Sequence, residues 1–346
     1  MGLQAIYQQS QSDLAAIDTL IRTQLLSSVP LVNQISQHIL HSGGKRLRPL
    51  IALSTAKMLQ CPQPAAVSIA TWIELIHTAT LLHDDVVDGS EKRRGKETAH
   101  RLFGNTASIL VGDFIYTRAF QLMMELQSLP LLQLMAETTH KIAQGELLQL
   151  THCYNPQQTE ADYLQIIDHK TVPLFTAATQ SAALLMSIPE PMQQALQTYG
   201  EQLGRAYQLV DDLLDYQATA EKLGKNIGDD LQEGKITLPL LHLLQNAPST
   251  QSASIREAIL NGRGYTYFDT ILLAMQHYGS LDYVQKLAET AISQAITSLK
   301  ALPMTPERQT LVAIANAVLQ PLYALKSQSI HSNKSLGWLA TLFVDQ

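Results

Sequence analysis

The sequence predicts an all-α fold built as one helical bundle. Leu, Ala, Gln and Ile dominate the chain, and aromatic residues make up only 6% of it. Its long apolar runs repeat at three- and four-residue spacing and lack the β-branched alternation of half-buried strands. With 346 residues, 46% hydrophobic and 16% charged, it has ample material for a large buried core. That length would allow two domains but does not require them.

Helical periodicity from Ile6 to Leu26 gives the first helix, and Pro30 opens a second that ends at Gly43-Gly44. Lys45-Arg46-Leu47-Arg48-Pro49 follows, three cations in four residues at the mouth of the next helix. It reads either as a solvated basic turn or as a phosphate clamp, in which guanidinium groups bind oxygens bidentately and lysine adds a point charge. Pro64 to Val87 is the longest uninterrupted helical pattern and ends in Leu82-His83-Asp84-Asp85-Val86-Val87-Asp88. Asp84 and Asp88, four residues apart, share a face, and His77 lies about two turns back on it. His77 is a satisfied core histidine or a hydrogen-bond donor to substrate. Gly89 to Lys96 breaks the pattern as a polar loop carrying Arg93-Arg94.

Asn105 or Thr106 caps a helix through Leu126, and Leu129 to Leu150 forms another. Thr159 caps the next, which contains Lys170-Thr171 and is kinked at Pro173. Lys170 is either an ordinary exposed lysine or is aimed inward by that kink. Pro191 to Tyr216 carries a second cluster, Gln208-Leu209-Val210-Asp211-Asp212-Leu213-Leu214-Asp215, with Gly200 and Gly204 on the same face. Those glycines imply close helix packing or room for a ligand. Lys222 to Lys235 reads as a glycine-rich charged loop. Helices resume at Thr237, with breaks near Pro248, Gly262-Gly264, Gly279 and Pro303. Residues 1–326 are read as the helical domain and 327–346 as a separate tail, whose Trp338 region docks on the body or touches a partner or a membrane surface.

Like charges four apart destabilise a helix, and setting them against apolar walls costs more unless cations neutralise them. Two such clusters predict hard divalent cations held between facing helices. Carboxylates suit Mg²⁺, which keeps waters and takes further ligands from substrate phosphates. Two separate basic sets then imply two phosphorylated substrates, and the apolar walls imply hydrocarbon in the rest of them. A net charge of −6 argues against a nucleic-acid binder. Cys61 and Cys153 lack metal-type spacing and fit a reducing compartment. The N-terminus shows no secretory pattern, and no apolar run approaches the ~20 residues of a membrane span, so a cytoplasmic location is expected.

In combination, Gly43-Gly44-Lys45-Arg46-Leu47-Arg48-Pro49, the first acidic motif with Arg93-Arg94-Gly95, Lys170-Thr171 and the second acidic motif resemble the trans-polyprenyl diphosphate synthases. Gly112-Asp113-Phe114-Ile115-Tyr116, Gly224-Lys225-Asn226 and Gly234-Lys235 extend the likeness, which runs from Ile6 to Val318. It implies an isoprenoid-synthase-type helical bundle around a deep central cavity. It also implies condensation of isopentenyl diphosphate onto an allylic diphosphate such as farnesyl diphosphate, with about three Mg²⁺ ions per active site as in the family.

On this resemblance Asp84, Asp88 and Asp211 are metal ligands, with Asp215 in a supporting role. Arg93, Lys170, Lys225 and Lys235 hold the allylic diphosphate, and Gly44, Lys45, Arg48, His77 and Arg94 form the isopentenyl diphosphate site. Thr171 and Gln208 face the reacting carbons. Short-chain relatives place a bulky aromatic one turn before the first motif. Here Ala79 and Thr80 stand there, so a long product is expected, octaprenyl (C40) for a quinone side chain. Met123 and Met124 are candidates for the cavity floor or are simply core. Shorter- or longer-chain synthases and a class I terpene cyclase remain alternatives, as does a non-catalytic regulatory subunit. The second D-D-x-x-D weighs against a cyclase. The family further implies a homodimer through the helix from Asn105 to Leu126 and peripheral membrane contact during product release. Pro173 departs from the family pattern.

Overall fold

The structure, a computed structural model, describes residues 2–41, 43–217 and 228–328. Lys225, residues 222–227 of the predicted Lys222–Lys235 loop and the Trp338 tail lie outside these residues. Seventeen α-helices are present among the described residues, with one two-stranded ribbon. They are α1 (Leu3–Gln9), α2 (Gln11–Gln24), α3 (Pro30–His41), α4 (Leu47–Met58), α5 (Gln63–Val87), α6 (Ala99–Phe103), α7 (Asn105–Met124), α8 (Leu129–His152), α9 (Glu160–Lys170), α10 (Val172–Leu185) and α11 (Glu190–Gln217). After these come α12 (Asp229–Gln232), α13 (Leu238–Asn246), α14 (Ser249–Leu260), α15 (Phe268–His277), α16 (Ser280–Ser298) and α17 (Pro306–Gln328).

Two long helices organise the bundle. α5 packs on α4 and α7, and α11 on α10 and α16. α11, with 28 residues, exceeds the 25 of α5, so the second acidic motif and not the first ends the longest helix. The core between them is aliphatic, with Trp72, Phe175, Tyr199, Tyr207 and Tyr216 fully buried. Gly200 lets α11 sit directly on α10, because a Cβ there would fall 2.6 Å from Thr179 Oγ1 and 2.7 Å from Thr176 Cα. Close packing is therefore what this glycine serves.

Several boundaries differ from expectation. The first predicted helix is two, divided at Ser10. Gly104, not Asn105, precedes the first turn of α7. The expected kink at Pro173 is a full break. α9 stops at Lys170 and α10 starts at Val172, because proline in the first turn of α10 loses no helical hydrogen bond there. The polar loop after Asp88 contains the ribbon, β1 (Lys92–Arg93) paired antiparallel with β2 (Lys96–Glu97). Thr159 caps α9 as predicted and exchanges hydrogen bonds with Asp162 in a capping box. α5 is long and apolar enough to cross a membrane by composition, but 78% of its apolar window is buried inside the fold, as befits a core helix.

Candidate active site

The C-terminal ends of α5 and α11 face one cavity. From α5 it receives His77, Thr80, Leu81, Asp84 and Asp88, and from α11 Gln208, Asp211, Asp212 and Asp215. Glu146 and Gln149 of α8, Asp229 and Asp230 of α12, and Glu233 add further oxygen donors. Apolar wall comes from Ile142, Ile166, Ile167, Leu174 and Leu214. The 3.6-residue period sets Asp84 with Asp88, and Asp211 with Asp215, on the cavity face of each helix, and packing of the bundle brings the two motifs into one space.

The cations fall into two sets. Lys235 bonds Asp88 Oδ2 at 2.8 Å and Glu233 Oε2 at 2.7 Å, linking the second half of the chain to the first motif. Lys170, delivered by the end of α9, bonds Glu146 Oε2 at 2.8 Å and Gln149 Oε1 at 2.7 Å. It points inward and is not an ordinary surface lysine. Burial pushes the Asp88 carboxyl up, but Lys235 and Lys170 outweigh it and hold the group below its usual range. Burial would discharge Lys170, yet Asp84 and Glu146 keep its affinity for a proton above normal.

The second set surrounds His77. Arg48 Nη1 lies 3.3 Å from His77 Nε2, and both side chains are buried. The guanidinium of Arg48 rests over Phe175, 4.7 Å from the ring centroid. Its Nε is a buried donor with no partner, as is Nη1 of Arg93, whose Nε bonds Asp85 Oδ1 at 2.8 Å. Arg48, His77 and Arg93 reach the cavity wall, whereas Gly44, Lys45 and Arg94 do not line it. Gly44 instead admits Arg94, whose Nη1 would be 3.1 Å from a Cβ at that position. Burial, then Arg48, Arg94, Arg93 and Arg46, hold His77 far below its ordinary pKa. It is therefore neutral, and the cluster offers an anion a hydrogen-bonding ring and several guanidinium groups.

The middle aspartates are both buried, and of the two only Asp212 reaches the cavity wall. Asp85 is buried against Arg93, and burial raises its pKa more than Arg93 lowers it. Asp212 accepts from Tyr163 Oη at 2.5 Å and from Gln208 Nε2 at 2.8 Å, and burial followed by Asp230 pushes its carboxyl well up. Thr171 Oγ1 donates to Gln208 Oε1 at 2.7 Å.

The cavity-depth residues separate. Thr80 lines the cavity. Ala79, five positions before Asp84, is rotated about 140° from it around the helix and is fully buried off the wall. Met123 is fully buried but also off the wall, and Met124 is 62% exposed. Met124 on the outer side of α7 cannot floor this cavity, which corrects that expectation. Sequence reasoning also missed Tyr163, Glu146, Gln149, Asp229, Asp230 and Glu233. The helical spacing of Tyr163 to Lys170 on α9 was the available signal for the first. The others are ordinary acids or amides until the fold brings them together.

Among the described residues no three His, Cys, Asp or Glu side chains converge closely enough to hold an ion alone. The donors on opposite walls are nonetheless carboxylate oxygens. They suit a hard divalent ion that completes its shell with water and substrate phosphate. The unpartnered guanidinium donors of Arg48 and Arg93 suit the phosphate.

A family model described as polyprenyl synthetase matches residues 29–266. Over 320 residues the chain is 48% identical to octaprenyl diphosphate synthase of Escherichia coli (strain K12), covering 92% of this chain and 99% of that protein. The fold superposes on a decaprenyl diphosphate synthase from Rhodobacter capsulatus with TM-score 0.87 at 38% identity, covering 92% and 98% of the two chains. It also superposes on a polyprenyl synthase from Caulobacter crescentus CB15, solved with calcium and isoprenyl diphosphate, with TM-score 0.86 at 38% identity, covering 91% and 96%.

Proposed function

The chain belongs to the polyprenyl synthetase family and is a prenyltransferase, and on that premise we propose that it extends farnesyl diphosphate with isopentenyl diphosphate to all-trans-octaprenyl diphosphate for a quinone side chain. One observation carries the two-substrate reading: two opposed acidic motifs and a separate arginine–histidine cluster share a single cavity. The 48% identity to an octaprenyl synthase supports the C40 length.

The family uses divalent metal to bind diphosphate. We assign about three Mg²⁺ to Asp84, Asp88, Asp211 and Asp215, where the ions would act as Lewis acids on the departing diphosphate. Lys170, Lys235 and Arg93 hold the allylic diphosphate and stabilise its growing charge, joined by Lys225 on the family resemblance. Arg48 and His77, with Gly44, Lys45 and Arg94 behind them, hold isopentenyl diphosphate. The allylic C–O bond breaks, and its electron pair leaves with the diphosphate. The isopentenyl double bond then attacks the allylic carbon to form the new C–C bond. A proton lost from the adjacent carbon to the departed diphosphate restores a trans double bond. Thr171 and Gln208 present oxygen to the cationic carbon without attacking it. The product is a longer allylic diphosphate, so the cycle repeats.

Exposed Ile109, Leu110 and Met124 on α7 support a second copy docking there, hence a homodimer. We place the enzyme in the cytoplasm, with residues 1–326 as the catalytic domain, the tail at 327–346 outside it, and peripheral membrane contact as the product leaves. Incubation with farnesyl diphosphate, isopentenyl diphosphate and Mg²⁺, followed by chromatography of the products, tests the reading. A C40 diphosphate is expected. Cyclic hydrocarbon or no extension overturns it, and another chain length overturns the C40 assignment alone.

A further inference from the structure

Four cavity-lining side chains form a continuous hydrogen-bonded series between the α9–α10 junction and α11. Thr171 donates to Gln208, Gln208 donates to Asp212, and Tyr163 donates to the other oxygen of Asp212. Tyr163, Thr171 and Asp212 are all buried, the last only 1% exposed. Direction matters in this series. The Gln208 amide meets Asp212 through its NH₂ and turns its carbonyl oxygen to Thr171. A carboxylate held at one oxygen alone could rotate and release that amide. The short bond from Tyr163 prevents the rotation.

We propose that Tyr163 is a positioning residue for prenyl transfer, acting through Asp212 to keep the carbonyl oxygen of Gln208 toward the reacting carbons. The proposal rests on the prenyl-transfer reading above. With the carbonyl turned inward, the amide dipole stabilises positive charge on the allylic carbon. With the NH₂ turned inward it opposes that charge. Substrate anchoring lies elsewhere, at the arginines and lysines, so the loss should fall on turnover and not on binding.

The test is a double-mutant cycle with Tyr163→Phe and Gln208→Leu, reading kcat, both KM values and the melting midpoint. Tyr163→Phe should lower kcat about tenfold, with each KM within about twofold. The double variant should be no slower than Gln208→Leu alone. An unchanged kcat, a loss confined to KM, or independent additive losses overturn the proposal, because a merely structural hydroxyl would lower melting without coupling to Gln208. Should Tyr163→Phe not fold, Asp212→Asn probes the same bond from its other end and should show the same kcat loss. Normal turnover in Asp212→Asn would overturn the proposal. Wild-type protein that fails to elongate would instead sink the function on which the proposal stands.

Discussion

The two acidic motifs share a spelling and a place at the C-terminal end of a long helix, yet they are supported differently. Asp88 itself caps α5, and α11 ends two residues past Asp215. Carboxylates there oppose the negative end of the helix dipole. At the first motif the compensation is ionic: Arg93 on Asp85, Lys235 on Asp88. At the second, the middle aspartate is held by a phenol and an amide. The first motif thus borrows charge from a short ribbon and from the segment after α12. The middle aspartate of the second is fixed by neutral groups inside the bundle. On the function proposed above, the difference divides labour: one wall can rearrange its ion pairs around an incoming charged ligand, and Asp212 on the other keeps a preset geometry beside the reacting carbons.

The largest effect should come from removing an outer aspartate on either wall. Asp84→Ala and Asp211→Ala are each expected to lower kcat by about 10³-fold or more, since each removes charge stabilisation of the leaving group. Chelation with EDTA should do the same to the unmodified enzyme, and added Mg²⁺ should restore it. Incorporation of labelled isopentenyl diphosphate measures all three. Retention of activity in Asp211→Ala alone would confine the stabilisation of the leaving group to the first wall.

Next is the ionic support of the first wall. Arg93→Ala leaves the buried Asp85 without its partner and should cost about 2–3 kcal/mol of stability, read by denaturant melting. Arg93→Ala should also raise KM for the allylic substrate, because the same guanidinium has a buried donor free for phosphate. A melting curve unchanged by Arg93→Ala would remove the ionic half of the comparison.

A smaller energetic change should alter the product. Thr80 is the one residue of the predicted depth set on the cavity wall, and Thr80→Phe should shorten the product while leaving melting within about 1 kcal/mol. Chain-length analysis checks it. Ala79→Phe, by contrast, overpacks a site with no free surface and should reduce stability.

Much of this was legible beforehand because helical spacing is local. The face shared by His77, Asp84 and Asp88 and the inward Lys170 follow from sequence and their neighbours. Residues reached across helices were not legible. Nothing near Tyr163 in the chain announces Asp212, 49 positions away, and Glu146 meets Lys170 only because α8 and α9 approach at Gly145, where a Cβ would lie 2.4 Å from Lys170 N. Ala79 and Met124 failed for a related reason. Nearness in sequence to a wall residue does not place a side chain on that wall.

The smallest effect sharpens how the second half of the chain reaches the first motif. Lys235 follows Gly234, whose φ is +76° and whose backbone carbonyl accepts from Tyr154 N at 2.8 Å. A Cβ on Gly234 would fall 2.5 Å from the Tyr154 ring. That ring is 41% exposed, so it can swing outward, and the remaining cost is the left-handed backbone. Gly234→Ala should therefore cost about 1 kcal/mol in melting. It should raise KM for the allylic diphosphate by about threefold as Lys235 shifts from Asp88, leaving KM for isopentenyl diphosphate unchanged. Equal changes in both KM values would mean that Lys235 does not distinguish the two diphosphates. The contrast between an ionic wall serving one substrate and a preset wall serving the chemistry would then need redrawing.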